Sequence, residues 1–488
     1  MTAGGRGKAV LTPRAVVAGA LLVGAVIVAG CGGGGGGVAP LGIAEALNDL
    51  ALSPGAFWVR FHPTVPLGTD AVTCTASLSG GAERTVTITA AEMTPVAMLR
   101  GQADVRLPVP EGVAGSRTIT CTATWTTAAG EHVETLSFPV RIEAPQPAPT
   151  RELRAAWTRL DNIGDAEDLM SRMAAAGLNA VFIRVRRGET AYYESAVGPL
   201  TQIAAGGASL PDCIAAARRH GIEPHVYLNC FIIGQPNSRF ALQLRAGNRW
   251  QRDAAGSPVP WLCPSVEANV EIIRQGMLEL ARDYDIAGIQ YDFIRYPDKT
   301  TCCCSNCRQA FEQSIGAEVA YWPPDVLEGG ELREAYQAFR REQITRVVRE
   351  ITPAVRALRP GITVSAAVVD PSQQAADICA QDWVAWCREG LVDAVCPMTY
   401  MTDSDEYEAR VREVLARVGG STRVYPGIGL ETFRQRMYYP EELAAQLNVL
   451  RRLGAPGFVM FAIIPPTDVD ARVLLPLRDT ALAGDGCG

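Results

Sequence analysis

Asp292 closes a short apolar run and is followed by Arg295, Tyr296 and four cysteines, Cys302, Cys303, Cys304 and Cys307. A carboxylate in such a place can protonate a leaving oxygen, attack an electrophilic carbon or activate a water. Along "IAGIQYDFIRYP", Ile289, Tyr291 and Phe293 share one side of a period-two pattern, while Gln290 and Asp292 share the other. The pattern predicts a strand whose apolar side lies under a helix and whose last inward residue is a carboxylate.

The same parity test selects partners. In "NAVFIRVR", Val181, Ile183 and Val185 form an apolar side, leaving Arg184 and Arg186 to point inward. In "HVYLN", His225, Tyr227 and Asn229 face away from Val226 and Leu228. In "VYPGIGLE", Tyr425, Gly427, Gly429 and Glu431 share a side. Asp370 shares parity with the apolar side of "ITVSAAVV" and fails unless a bulge re-aims it. Asp393 and Glu223 open their strands and are assigned to the stability face. The surviving ring is Asp292, Glu431, Arg184, Arg186, Asn229 and Tyr400. Two carboxyls among amide, guanidinium and phenol groups suit cleavage of a glycosidic bond. The arginines are expected to hold Asp292 ionised, as nucleophile or base, which leaves Glu431 as the acid. The competing reading pairs Asp292 with Arg295 as a purely structural ion pair. Tyr192, Tyr193, Trp250, Trp261 and Tyr400 fall in or near the connecting loops, where they either stack against sugar rings or pack as lids.

Eight candidate strands alternate with amphipathic helices from Arg151 onward, from "RAAWTRL" to "GFVMFAI". That count predicts an α/β chain with a (β/α)8 TIM-type barrel over residues 151–480, the site lying at the C-terminal strand ends. A doubly wound sheet is the alternative, disfavoured because no Gly-rich dinucleotide turn is present. Residues 55–144 are strand-like throughout and predict a small all-β immunoglobulin-like sandwich, acting as a spacer or as a binder of glycan or partner. Cys74 and Cys121 occupy matching strand contexts and are expected to form an inter-sheet disulfide. Residues 145–150 read as a Pro-rich stiff linker.

Ahead of these, Arg6, Lys8 and Arg14 precede an apolar stretch ending in "VAGC". Residues 1–30 thus read as a signal peptide, and the ending resembles the bacterial lipobox, which implies lipidation of Cys31. A Gly-rich tether is expected over residues 31–54. The protein is then exported and held at a membrane surface of a bacterial cell envelope. Its net charge of −7 argues against nucleic acid as a partner. Fourteen cysteines suit an oxidising compartment. Four thiols within six residues can hardly all reach one ion, so the Cys302–Cys307 cluster is read as disulfides, with Cys263 or Cys230 as partners. No metal or cofactor is expected.

The motifs "RAAWTRL", "NAVFIRVRRGETAYYESAVGPL", "HVYLNCF", "GIQYDFIRYP" and "CPMTYM" resemble the family-10-like glycosyl hydrolases, exported bacterial barrel proteins. The likeness covers about residues 151–475. It implies a barrel that acts on or binds polysaccharide or cell-wall glycan, with Asp292, Arg295 and Tyr296 as site positions. The fourth strand here ends in aspartate, where the xylanase-type barrels have glutamate, so their acid/base assignment does not carry over. The rival expectations are a glycan-binding barrel without turnover and, less favoured, a metal-dependent deacetylase. The latter lacks ligands: only His225 lies on an inner strand face.

Overall fold

The computed structural model describes residues 43–197, 201–202, 207–370, 372–430, 437, 439–462 and 473–478. Cys31 and Glu431 lie outside them. No helix among the described residues is long and apolar enough to cross a membrane.

The first hundred described residues are almost wholly β. One sheet pairs Ala44–Ala46, Gly55–Phe61 and Ala103–Val109, and a larger one pairs Leu50–Leu52, Gly130–Glu143, Gly115–Thr127, Ala71–Leu78 and Glu83–Thr89, each in that order. Alternation drives both. In Ala71–Leu78 every second side chain, Val72, Cys74, Ala76 and Leu78, is buried. These side chains meet Phe57, Val59 and Phe61 of the other sheet in a common core.

Two expectations are corrected here. Strands begin at Ala44, inside the stretch read as tether; three-residue strands are too short to display alternation. Cys74 and Cys121 lie on neighbouring strands of one sheet, offset by two residues (Cys74 opposite Ala123, Cys121 opposite Ala76), and both thiols are free. Their matching contexts reflect pairing side by side, so this pair does not bridge the two sheets.

The α/β part is a curled parallel sheet. Its strands in chain order are Leu153–Arg159, Ala180–Arg187, Glu223–Asn229, Gly288–Asp292, Thr363–Val368, Ala394–Pro397, a seventh split into Arg423–Val424 and Gly427–Gly429, and an eighth, Gly457–Phe461. Each of the first six pairs with the next. The eighth returns to the first. The seventh strand touches both its neighbours, its first piece pairing with the sixth and its second with the eighth. Tyr425 N donates to Val395 O and Val459 N to Pro426 O across the break.

Among the described residues ten α-helices connect these strands: α1 (Ala166–Ala175), α2 (Leu210–Arg219), α3 (Arg239–Ala246), α4 (Glu267–Asp283), α5 (Ser305–Ile315), α6 (Arg333–Leu358), α7 (Ser372–Cys379), α8 (Trp383–Arg388), α9 (Ser404–Val418) and α10 (Pro440–Arg452). Caps set several starts, with Asp165, Ser209, Ser238, Asp382 and Asp403 each accepting a first-turn amide. Outward strand residues such as Val181, Ile183, Ile289 and Tyr291 join the helices in one large core. Inward ones, including Trp157, Phe182, Tyr227 and Tyr425, fill the axis.

The β unit docks directly on α9 and α10. Trp58 stacks on Tyr439 at 3.7 Å, its Nε1 donates to Glu441, and Arg106 also reaches Glu441. Gln146 N, within the linker, donates to Asn448 of α10.

Between the last helix and the first strand, Arg451 grips Glu152 through two 2.9 Å bonds, with both side chains almost fully buried. Removing one member leaves an unpaired buried charge. Glu152→Ala is expected to lower the unfolding free energy by about 3–5 kcal/mol, read by denaturant titration. A loss below about 1 kcal/mol would show that the pair does not anchor the closure.

Candidate functional site

Strands three and four pair with Asn229 opposite Asp292, so two polar side chains meet at adjacent strand ends. Asn229 Nδ2 donates to Asp292 Oδ2 at 2.6 Å. The Phe293 amide donates to Asp292 Oδ1 at 2.8 Å, with Phe293 in the left-handed region at φ +50°. A bulky residue in that conformation is strained. It is kept where the turn aims an amide back at the carboxylate.

Burial pushes the Asp292 carboxyl up to about 6, against the lowering effects of the Phe293 amide, Arg295, Arg184 and Asn229. This reverses the expected balance: desolvation outweighs the arginines. A carboxyl near 6 can serve as acid or base close to neutrality. No ion pair joins Asp292 to Arg295. Arg295 instead lies over the rings of Phe293 (4.8 Å) and Trp261 (5.3 Å) and donates to Tyr296 O.

Arg184 reaches the same end of the sheet, paired with Asp161 at 2.8 Å and lying 5.3 Å over the Tyr192 ring. Tyr400 stacks on Phe461 and lies close enough to Asp292 and Tyr227 to feel their charge. Asn229, Asp292, Arg184 and Tyr400 are therefore brought together.

Arg186 is not. A bulge between Arg184 and Arg186 shifts the register, so that Arg186 faces Leu228 across the ladder and turns under α4. There its guanidinium bonds Gly188 O and Ile272 O, and a Cβ on Gly276 would lie 2.1 Å from Nη1. Only a glycine on α4 admits it. Arg187 takes the inward place instead, its charge disfavoured by burial and by Arg184 and Arg159. Nothing in the run "RVRR" announces the bulge.

Tyr193 also lies elsewhere, donating to the buried Glu279 of α4 at 2.8 Å. Tyr296 is fully buried and faces the cysteines rather than the strand ends. Trp250 and Trp261 are buried in the hairpin formed by Trp250–Arg252 and Pro258–Leu262. These four aromatics pack in the protein interior. Asp370 lies toward α9, raised to about 7 by burial, with Arg410 and two glutamates nearby. Asp393 accepts from Arg356 and the Val364 amide. Both fall outside the ring, Asp370 as its parity requires and Asp393 as its place at a strand start requires.

Asp161, Arg159 and Arg187 are the residues that sequence reasoning missed. Arg159 closes the first strand and Asp161 follows it, and the strand-end rule that selected Asp292 applies equally to them.

Replacing Asp292 isolates its proton linkage. Its folded value, about 6, exceeds the unfolded 3.8, so the folded state binds the extra proton between those values. The unfolding free energy of wild type minus that of Asp292→Asn is expected to fall as pH rises from about 4 to about 6, then level off. With screening at the open end of the site, the fall is about 1–2 kcal/mol. A difference that rises over this window would show a depressed carboxyl. Asn229→Ala removes a donor to the ionised form, and should raise the Asp292 value further in a carboxyl NMR titration.

Relatives bear on this geometry. The sequence profile of the glycosyl hydrolase-like 10 family matches residues 152–428. No curated protein matches the sequence. Among solved structures, the chain is similar to the glycoside hydrolase domain of PgaB (BpsB) from Bordetella bronchiseptica, at 16% identity and TM-score 0.52, covering 68% of this chain and 99% of that one. It is also similar to alpha-L-fucosidase isoenzyme 2 from Paenibacillus thiaminolyticus, at 14% identity and TM-score 0.48, covering 67% of this chain and 49% of that one. The first likeness supports the fold, and the profile spans every strand from the first to Ile428. The chain belongs to the glycosyl hydrolase-like 10 family.

Proposed function

We propose that the protein is a glycoside hydrolase acting on a polysaccharide or cell-wall glycan, with its curled sheet as a (β/α)8 barrel and Asp292 as its central carboxyl. The observation that carries this reading is the raised carboxyl at the end of the fourth strand, held by Asn229 and the Phe293 amide and flanked by Arg184 and Tyr400. Glycosidic cleavage needs one carboxyl able to give a proton and another able to attack or activate water. Glu431, two residues after Gly429 in the sequence, is proposed as the second. Arg184, Asn229, Arg295 and Tyr400 would position the sugar. The β unit is proposed as an immunoglobulin-like sandwich. Lipidation at Cys31 would hold the exported enzyme at a membrane surface of a bacterial cell envelope, on the periplasmic face or at the cell surface.

A second reading, a glycan-binding barrel without turnover, draws on one observation. Asp161, a second carboxylate at this end of the sheet among the described residues, is paired with Arg184. The test is release of reducing ends from a panel of bacterial and plant glycans, wild type beside Asp292→Asn. Turnover by wild type that drops by about 10³-fold or more in the mutant supports the hydrolase. Binding of a glycan by both proteins with no cleavage by either supports the receptor. If Asp292 works ionised, kcat/KM rises with pH through about 6; if it works as the acid, kcat/KM falls there.

A further inference from the structure

Cys263, Cys302, Cys304 and Cys307 have no role in the proposed chemistry, yet they converge. Their sulfurs all lie within 4.8 Å of one another, with Cys263 Sγ 3.5 Å from Cys304 Sγ and 3.4 Å from Cys307 Sγ. None of the four is exposed. Zinc–sulfur bonds of about 2.3 Å separate tetrahedral sulfurs by about 3.8 Å. A disulfide would draw two of them to about 2.05 Å. From this geometry we infer that the four cysteines bind one zinc ion as thiolates. The inference takes the place of the disulfide reading and of the expectation of no metal. Cys303 turns its thiol to Thr300 O, and Cys263 arrives from another loop, so four donors do reach one point.

The surroundings suit thiolates rather than thiols. The Arg252 amide donates to Cys302 Sγ and the Cys307 amide to Cys304 Sγ, both at 3.4 Å, and Ser265 Oγ lies 3.4 Å from Cys307 Sγ. Such outer donors orient and stabilise metal-bound sulfur. Cys304 is also the N-cap of α5, where the helix dipole favours negative charge. A zinc with four thiolates carries two net negative charges. Arg340 of α6 is fully buried, no carboxylate pairs with it among the described residues, and its guanidinium lies 4.3 Å over Tyr296. Tyr296 in turn lies within electrostatic reach of Cys263, Cys302 and Cys307, and its buried hydroxyl has no hydrogen-bond partner. Arg340 donates to Lys299 O, Gln337 Oε1 and Asp298 O, and ionised sulfurs on the other side of Tyr296 would supply the negative charge it lacks nearby.

Binding exchanges four thiol protons, released to solvent, for one zinc ion. Four sulfur donors leave no open position, so the site is structural. It ties the hairpin after the third strand to the loop after the fourth. Trp261, two residues before Cys263, lies 5.6 Å from the Phe293 ring and supports Arg295. The ion would thereby fix the residues that border Asp292.

The experiment is elemental analysis of the purified full chain in mild detergent, with free thiols counted under denaturing, non-reducing conditions. About one zinc per chain is expected, falling at least about tenfold in Cys263→Ser and Cys304→Ser and unchanged in Cys303→Ser. Should the first two variants not fold, cobalt exchanged into wild type supplies the readout. Sulfur-to-cobalt charge-transfer bands with strong tetrahedral visible bands support the site. Wild type without stoichiometric metal, or with peptide mapping that shows Cys263 bridged to another of these cysteines, overturns it.

Discussion

A parallel strand covered by helices on one side and by the rest of its own curled sheet on the other has few places for a charged side chain. Its outward residues meet helices, as Val181, Ile183 and Ile289 do. Its inward residues meet each other, as Trp157, Phe182 and Tyr227 do. Buried polar groups there must satisfy one another, and Trp157 Nε1 donates to Gln290, which donates on to Ser365 and Cys396. Charge is therefore expelled to the strand ends or paired outside the sheet. The candidate site and the Glu152–Arg451 tie are two results of that one constraint.

The price of placing Asp292 at the edge of this interior is desolvation, which the nearby cations only partly offset. The same balance makes the carboxyl useful. An aspartate held at its ordinary value gives up no proton near neutrality, whereas one near 6 titrates close to it. Strain at Phe293 and the Asn229 amide are the local means of holding it. Around it, Arg295 sits against rings rather than in an ion pair, and its charge acts on Asp292 only from a distance.

The cysteines follow a parallel logic at the outer side of the same loop. A long excursion runs between the fourth strand and α6, with Phe311, Val319 and Val326 packed inward along it. Cross-linking it to the preceding hairpin removes conformational freedom that packing alone would have to restrain. The β unit is held by contact as well, through Trp58, Arg106 and Gln146 against the last helix, so the short Pro-rich segment does not act as a free spacer.

The sequence alone determined the elements that depend on local pattern. Period-two alternation marked the eight strand positions, helix-period runs marked the helices between them, and parity placed Asp292 and Asn229 on the inner side because neither strand carries a bulge. Motif likeness supplied the family. What only the tertiary structure decided depends on non-local contacts. The register shift in the second strand exchanged Arg186 for Arg187, and space for Arg186 exists only because α4 presents Gly276. The desolvation of Asp292 is a sum over neighbours from several strands, which no window of sequence contains. Cys74 and Cys121 were matched by context, but sheet order set them side by side. The fourth sulfur of the cluster comes from Cys263, 39 residues before Cys302, and only the fold places it there.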